Sequence, residues 1–303
     1  MITLEHTYLL TGIILFIFTI YTLIDKGHKQ KLGTAAFWLL YGITFCFGKY
    51  LPNTVTGAIV VLMAIIAALK RTGTGTYNET TAEEKMSSAE KYGNTLFVIV
   101  LIVPVVTFAV AIFTKLGALV GMSIGAVIAL IVALIATRSP VTTALNEGRR
   151  LTDAIGWAAI LSQFLAALGA LFAKAGVGTV ISGLVTSVVP ENSAIAVVAA
   201  YCVGMALFTA VMGNAFAAFA VITAGIGIPL VVKIHGADPA ILGPMGMLAG
   251  YCGTLLTPMA ANFNIVPTAL LEMKDRYGVI KAQAPVAIVM LIAQIALVYF
   301  IAL

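Results

Sequence analysis

Gly250-Tyr251-Cys252-Gly253-Thr254-Leu255-Leu256-Thr257-Pro258-Met259-Ala260-Ala261-Asn262-Phe263-Asn264, followed by Pro267-Thr268, is the stretch that decides how this chain folds. It lies inside a run of 33 uncharged residues, 239–271. At a rise of about 1.5 Å per residue, such a run makes a helix about 50 Å long, against a bilayer core of about 30 Å. The run is too long for one span and too short for two full spans and a turn. Two prolines and two asparagines disfavour a continuous helix, because proline removes a backbone donor and clashes with the preceding turn. The run is therefore expected to be a broken helix or a re-entrant hairpin.

The rest of the chain supplies the setting. Of 303 residues, 61% are hydrophobic and 10% charged, where a soluble domain carries about 25% charge. Lipid-facing side chains should be apolar, so a bilayer resolves a composition that water would not tolerate. Glycine (28) and proline (10) are scattered through the apolar runs, as membrane helices allow. Cys46, Cys202 and Cys252 all fall within apolar segments. An odd count without paired spacing argues against a disulfide framework or a zinc site, and they read as small buried hydrophobes.

Five runs of spanning length fill the first half: Tyr8–Ile24, Ala35–Leu51, Thr54–Leu69, Thr95–Phe113 and Leu116–Thr137. The first is preceded by Glu5 and His6 instead of a basic segment, so it reads as an uncleaved helix. Links 25–34, 70–94 and 138–153 hold ten Lys and Arg, and the opposite links only Lys49 and Lys115. This positive-inside bias places the N-terminus outside and makes 70–94 a solvated cytoplasmic loop. A net charge of +5 dispersed in this way is a topology signal and implies no nucleic-acid partner.

The second half is less regular. Uncharged runs of 20, 16, 41 and 33 residues follow Asp153, Lys174, Glu191 and Asp238. Counting crossings from Arg150 inside, five full spans would put the link holding Lys274, Arg276 and Lys281 outside, where its bases do not belong. One segment must fail to cross, and 239–271 is the best candidate. The fold class expected is an all-α polytopic membrane protein of about ten transmembrane segments, with one or two re-entrant or broken helical hairpins in the C-terminal half. The chain reads as one membrane domain, 1–303, with regular spans in 1–137 and the hairpin-containing part in 138–303.

Non-helical backbone survives at membrane depth only when buried in protein or lining a wet cavity, and broken helices are where transporters bind substrate. Three polar clusters sit among glycines and prolines: Ser162-Gln163, Gly213-Asn214, and Thr257 to Asn264. Each has a structural alternative, as helix glue or as a plain loop. Tyr201-Cys202 precedes Asn214 by the spacing with which Tyr251-Cys252 precedes Asn264, a possible trace of duplication. No acidic residue or histidine lies deep in an apolar run to suggest a proton relay, and the three histidines form no metal-ligand set. No Walker loop and no H-E-x-x-H is present, so an enzyme is not expected.

The residues Gly156-Trp157, Ile160 to Gly178, Met212-Gly213-Asn214-Ala215-Phe216 through Thr223, and Thr257 to Asn264 resemble, along the full length, the bacterial membrane family catalogued as domain of unknown function nine-seven-nine. The resemblance implies one half of a two-component carrier for 5-oxoproline (pyroglutamate). It also implies a partner, a second small membrane subunit of the family numbered nine-six-nine, and a likeness to the ion-transporter superfamily, whose carriers bind anions at paired hairpin tips. The expected function is thus a subunit of a secondary transporter for a small organic anion in the bacterial inner membrane. The alternative is a non-transporting scaffold subunit. Ser162, Gln163, Asn214, Thr257, Asn262 and Asn264 are the expected substrate-binding residues, since amides, hydroxyls and half-helix N-termini can satisfy a carboxylate and a lactam without a buried base. No cofactor or metal is expected, and the coupling ion, sodium or proton, is left open.

Overall fold

The computed structural model describes residues 3–77, 81–271 and 273–303, with the side chains of Ala82, Lys85, Ser162, Ala261 and Asn262 left aside. Among the described residues all regular structure is helical. Among these residues seven helical stretches are long and apolar enough to cross a bilayer: Leu4–Ile24, Asn94–Phe113, Ala118–Thr137, Val141–Lys174, Ala194–Met212, Ala215–Val232 and Gly278–Ala302. Their outer faces carry exposed Phe97, Phe108, Phe113 and Ile135, which water would penalise and lipid would not. The chain forms two compact units, 1–156 and 157–303.

The first unit holds α1 (Leu4–Ile24), α2 (Lys31–Phe47), α3 (Asn53–Ala68), α4 (Ala82–Tyr92), α5 (Asn94–Phe113), α6 (Ala118–Thr137) and α7 (Val141–Ile155). All five runs expected from apolar length are helical, displaced by a few residues at most; α1, α5 and α6 have spanning length, while α2 and α3, of 17 and 16 residues, are shorter. Helix pairs approach where side chains vanish. A Cβ on Gly121 would stand 3.0 Å from the Thr107 carbonyl oxygen, and one on Gly125 2.9 Å from that of Val103, so α5 and α6 meet on a Gly-x-x-x-Gly face. The same residues, Gly121-Met-Ser123-Ile-Gly125, carry the letters of a hydrolase nucleophile elbow. They lie within one helix, with Ser123 Oγ donating to the Leu119 carbonyl at 3.3 Å, and lack the strand–turn–helix context of that motif.

The 70–94 link is more ordered than a solvated loop. Its second half is α4, opened by a capping box. The Thr81 hydroxyl accepts from the Glu84 N–H (3.2 Å) and the Glu84 carboxylate from the Thr81 N–H (2.9 Å). Its first part, residues 71–77, is an extended strap. Gly73 N–H donates to Thr34 Oγ1 (3.0 Å), Gly75 N–H to Tyr77 Oη (3.1 Å) and Thr76 N–H to Asp25 Oδ2 (2.8 Å). The strap also accepts from a buried arginine. Arg149, 5% exposed, sends Nη2 to Asp25 Oδ2 (2.8 Å) and the Thr76 carbonyl (3.3 Å), and Nη1 to the Tyr21 carbonyl (2.9 Å). Its guanidinium lies 4.8 Å from the centre of the Tyr77 ring. One turn along α7, buried Asp153 takes the Trp38 Nε1–H at 2.7 Å and a short hydrogen bond with the Tyr77 hydroxyl. Arg149 and Asp153 thus form the inner face of an amphipathic helix.

Two ionisations follow from these contacts. Burial pushes the Asp25 carboxyl up, but the Thr76 N–H, the Arg149 guanidinium and the Gly27 N–H outweigh it and hold Asp25 below its ordinary value of 3.8. For Tyr77, burial and then the Asp153 contact push the phenol well above its ordinary 10, so it stays neutral.

The second unit holds a 3₁₀ turn (Gly156–Ile160, whose last four residues belong to it), α8 (Leu161–Lys174), α9 (Val177–Val188), α10 (Ala194–Met212), α11 (Ala215–Ile222), a π-helical continuation (Thr223–Val232), α12 (Pro239–Leu255), α13 (Ala261–Leu270) and α14 (Gly278–Leu297). Its core gathers Val197, Tyr201 and Met205 of α10, Ile222 of α11 and Leu242 and Ala249 of α12. Gly246, Gly250 and Gly253 make α12 smooth where it crosses α10. A Cβ at Gly253 would collide with the Ala206 carbonyl oxygen, and one at Gly246 with the Tyr201 hydroxyl. Cys202 and Cys252 are buried as expected, whereas Cys46 is partly exposed.

Candidate functional site

The apolar runs of the second unit break twice. The first break is Gly213-Asn214, between α10 and α11. Gly213 takes φ +70°, the left-handed conformation that ends helices and that glycine adopts without strain. Asn214 then caps α11, its Oδ1 accepting from the N–H groups of Phe216 (2.9 Å) and Ala217 (3.4 Å). The second break, 256–260, separates α12 from α13, so the 239–271 run is two helices, as its length and prolines predict. Asn264 ties this break together, with Nδ2 donating to the carbonyls of Thr254 (2.8 Å) and Thr257 (2.6 Å). Thr257 Oγ1 accepts from the Met259 N–H at 3.2 Å.

The two breaks touch. A Cβ on Gly213 would fall 2.5 Å from the Met259 carbonyl oxygen, so only a bare backbone fits there. Beside this contact lies a cavity of about 450 Å³, within the usual range for small-molecule sites. Asn214, Tyr251 and Thr254 give it polar groups, and Leu161, Leu165, Phe216 and Phe263 apolar walls. Gly213, Ala215 and Ala260 bring backbone to its surface. Its lining includes the first residues of α8 (Leu161, continuing the 3₁₀ turn) and α11 (Ala215, behind the Asn214 cap) and Ala260 just before α13, the start that has no side-chain cap. Helix starts expose N–H groups and the positive end of the peptide dipole. No lining residue is charged. Phe216 and Tyr251, both on its lining, meet edge to face with ring centres 6.4 Å apart.

The six expected binding residues are distributed unequally. Asn214 lines the cavity. Thr257 and Asn264 are buried in the break behind it, 5% and 1% exposed, and their hydrogen bonds hold its backbone. Gln163, partly buried, follows the lining residue Leu161 by two positions on α8. The side chains of Ser162 and Asn262 lie outside the described residues, although both positions fall in the first turns of helices that open on the cavity. Tyr251 and Thr254 also line the cavity, although they are not among the expected binding residues; a helical spacing of three puts them on one face of α12, next to the break.

Two units of helices, seven stretches of membrane-spanning length and an uncharged cavity at paired helix breaks are consistent with a polytopic membrane protein. The chain belongs to the family described as Protein of unknown function (DUF979), whose family model covers residues 5–303. No curated protein and no solved structure matches it.

Proposed function

We propose that this chain is a subunit of a secondary transporter for a small organic anion, 5-oxoproline being the leading candidate, and that it acts with a second small membrane subunit of the family numbered nine-six-nine. The observation that carries the reading is the uncharged cavity at two touching helix breaks. A bilayer-spanning protein gains nothing from interrupted helices unless the freed backbone groups serve a ligand or a wet passage. A lactam carboxylate asks for a few donors and one acceptor. Asn214, Tyr251, Thr254 and the uncapped start of α13 meet that need without a buried base. In this reading the broken 239–271 run is a hairpin that fails to cross. In the same reading three shorter apolar helices, Lys31–Phe47, Asn53–Ala68 and Val177–Val188, cross as well, which makes ten segments. The N-terminus lies outside and link 70–94 in the cytoplasm of an inner-membrane protein. The role is transport and not catalysis.

The test is uptake of labelled 5-oxoproline into vesicles holding both subunits, each alone, or neither. Accumulation that requires both chains supports the carrier. Uptake undiminished without this chain makes it a scaffold, and conversion of the compound without uptake makes it an enzyme. Asn214→Asp sharpens the result, because aspartate caps a helix as well as asparagine does. It also sets a negative charge at the cavity, where an anion should bind. Uptake is expected to fall by more than about tenfold, equivalent to about 1.4 kcal/mol, at unchanged membrane abundance. Undiminished uptake by this variant would remove Asn214 from the site.

A further inference from the structure

The buried charges of the first unit do not balance. Asp25, Arg149 and Asp153 are all nine-tenths or more buried, giving two carboxylates to one guanidinium. The guanidinium is committed to Asp25, the Tyr21 carbonyl and the Thr76 carbonyl. Asp153 receives only neutral donors, the Trp38 indole N–H and the Tyr77 hydroxyl, and among the described residues no cation pairs with it. A buried ionised carboxylate without its own cation costs several kcal/mol, whereas a buried neutral acid with both oxygens hydrogen-bonded costs little.

The missing proton has two possible homes, and geometry separates them. His28, 4% exposed, lies near Asp153. Its Nδ1 already accepts the Gln30 N–H at 3.1 Å, so Nε2 carries the ring proton and a second proton would break that bond. At Asp153 the protonation only reverses one hydrogen bond. The Tyr77 hydroxyl, which donates to Oδ2, would turn its own hydrogen away and accept from a protonated Oδ2 beside the Gly75 N–H, while Oδ1 goes on accepting from Trp38. The titratable and charged groups around Asp153 are Asp25, His28, Tyr77 and Arg149. Of these, Asp25 and Arg149 satisfy each other.

We propose that the first unit binds a single proton at Asp153, shared with Tyr77, and that this proton holds the 71–77 strap against the ends of α1, α2 and α7. The inference does not rest on the transport reading and is tested without it. The sign follows from linkage. The strapped state favours protonated Asp153 over a water-exposed carboxylate, so the strap is held at low pH and released as pH rises through the site's own value. One proton limits the effect to about tenfold per pH unit.

The experiment is hydrogen–deuterium exchange of peptide 71–77 in the full chain in lipid nanodiscs, from about pH 5 to about pH 9, corrected for intrinsic exchange. Protection of Gly73, Gly75 and Thr76 is expected to fall as pH rises, while that of Ala194–Met212 stays constant. Asp153→Asn imitates the neutral acid, its amide donating to Tyr77 Oη and its carbonyl accepting from Trp38, and should keep the strap protected at every pH. His28→Asn retains an acceptor for Gln30 and should keep the wild-type pH response. Protection that rises or stays flat with pH in the wild type overturns the proposal. So does a strap loosened by Asp153→Asn with the α10 region intact, or a pH response lost in His28→Asn. If Asp153→Asn does not fold, the wild-type direction and the His28→Asn response decide the matter.

Discussion

Replacing Arg149 by leucine is expected to destabilise the protein by about 3–5 kcal/mol, the usual cost of removing one partner of a buried ion pair. The loss is large because the guanidinium, 6% exposed, is the cation paired with Asp25, whose side chain is 9% exposed. It also ties the Tyr21 carbonyl at the end of α1 to the Thr76 carbonyl of the strap. Leucine fills part of the volume but leaves the Asp25 carboxylate without its cation, with only the Thr76 and Gly27 N–H groups as donors, and strips one hydrogen bond each from the Tyr21 and Thr76 carbonyls. Adding Asp25→Asn should recover a substantial part of the loss, since the double variant carries no uncompensated charge at that pair. Thermal unfolding in detergent, followed by the exposure of buried cysteine, compares the two. Equal stability of Arg149→Leu and wild type would show that the pair contributes nothing. The pH dependence has a definite sign. Asp25 is held below its ordinary value in the folded state, so its contribution is present above 3.8 and lost as pH falls through the folded value.

Gly253→Val should be the most damaging single change in the second unit. Its Cβ would collide with the Ala206 carbonyl oxygen, and backbone on α10 cannot rotate away as a side chain can. Overpacking of this kind costs about 1–3 kcal/mol, and a clash with main chain belongs at the upper end. The shift would also move Thr254, the next residue, at the cavity wall. On the transport reading, loss of 5-oxoproline uptake is therefore expected beyond what the stability change explains. Gly183→Ala is the control. That position on α9 has nothing within 4 Å of a Cβ, and alanine in a helix is favoured over glycine by about 0.5–1 kcal/mol. A Gly253→Val protein as stable as Gly183→Ala would refute the close crossing of α10 and α12.

The first five apolar helices and the break in 239–271 were legible because the bilayer acts as a ruler. A run must match the thickness of the core, and prolines inside an overlong run leave few ways to fit. The left-handed turn at Gly213 followed by a capping asparagine was legible as a Gly-Asn pair, although whether it was a loop or a site was not. Tyr201-Cys202 and Tyr251-Cys252, which share one spacing to Asn214 and Asn264, both lie on helices that precede a break. The two asparagines nevertheless do different work. Asn214 caps a helix beside the cavity, while Asn264 stitches the carbonyls of the second break. Residue type and spacing are the same at both; only the partner groups differ.

By itself, the sequence determined that this chain is helical, apolar enough for a bilayer and interrupted near its C-terminus. Those properties are local: they depend on the composition of one run and its length against a fixed thickness. Tertiary structure alone decided that the two breaks meet around a cavity, and that Tyr251 and Thr254 belong to it while Asn264 stands behind. It alone decided that Arg149 finds Asp25 from 124 residues away. Charges read as topology signals in the links became a buried network, because helices that pack side by side bring their ends together. No short window of sequence records which ends those are.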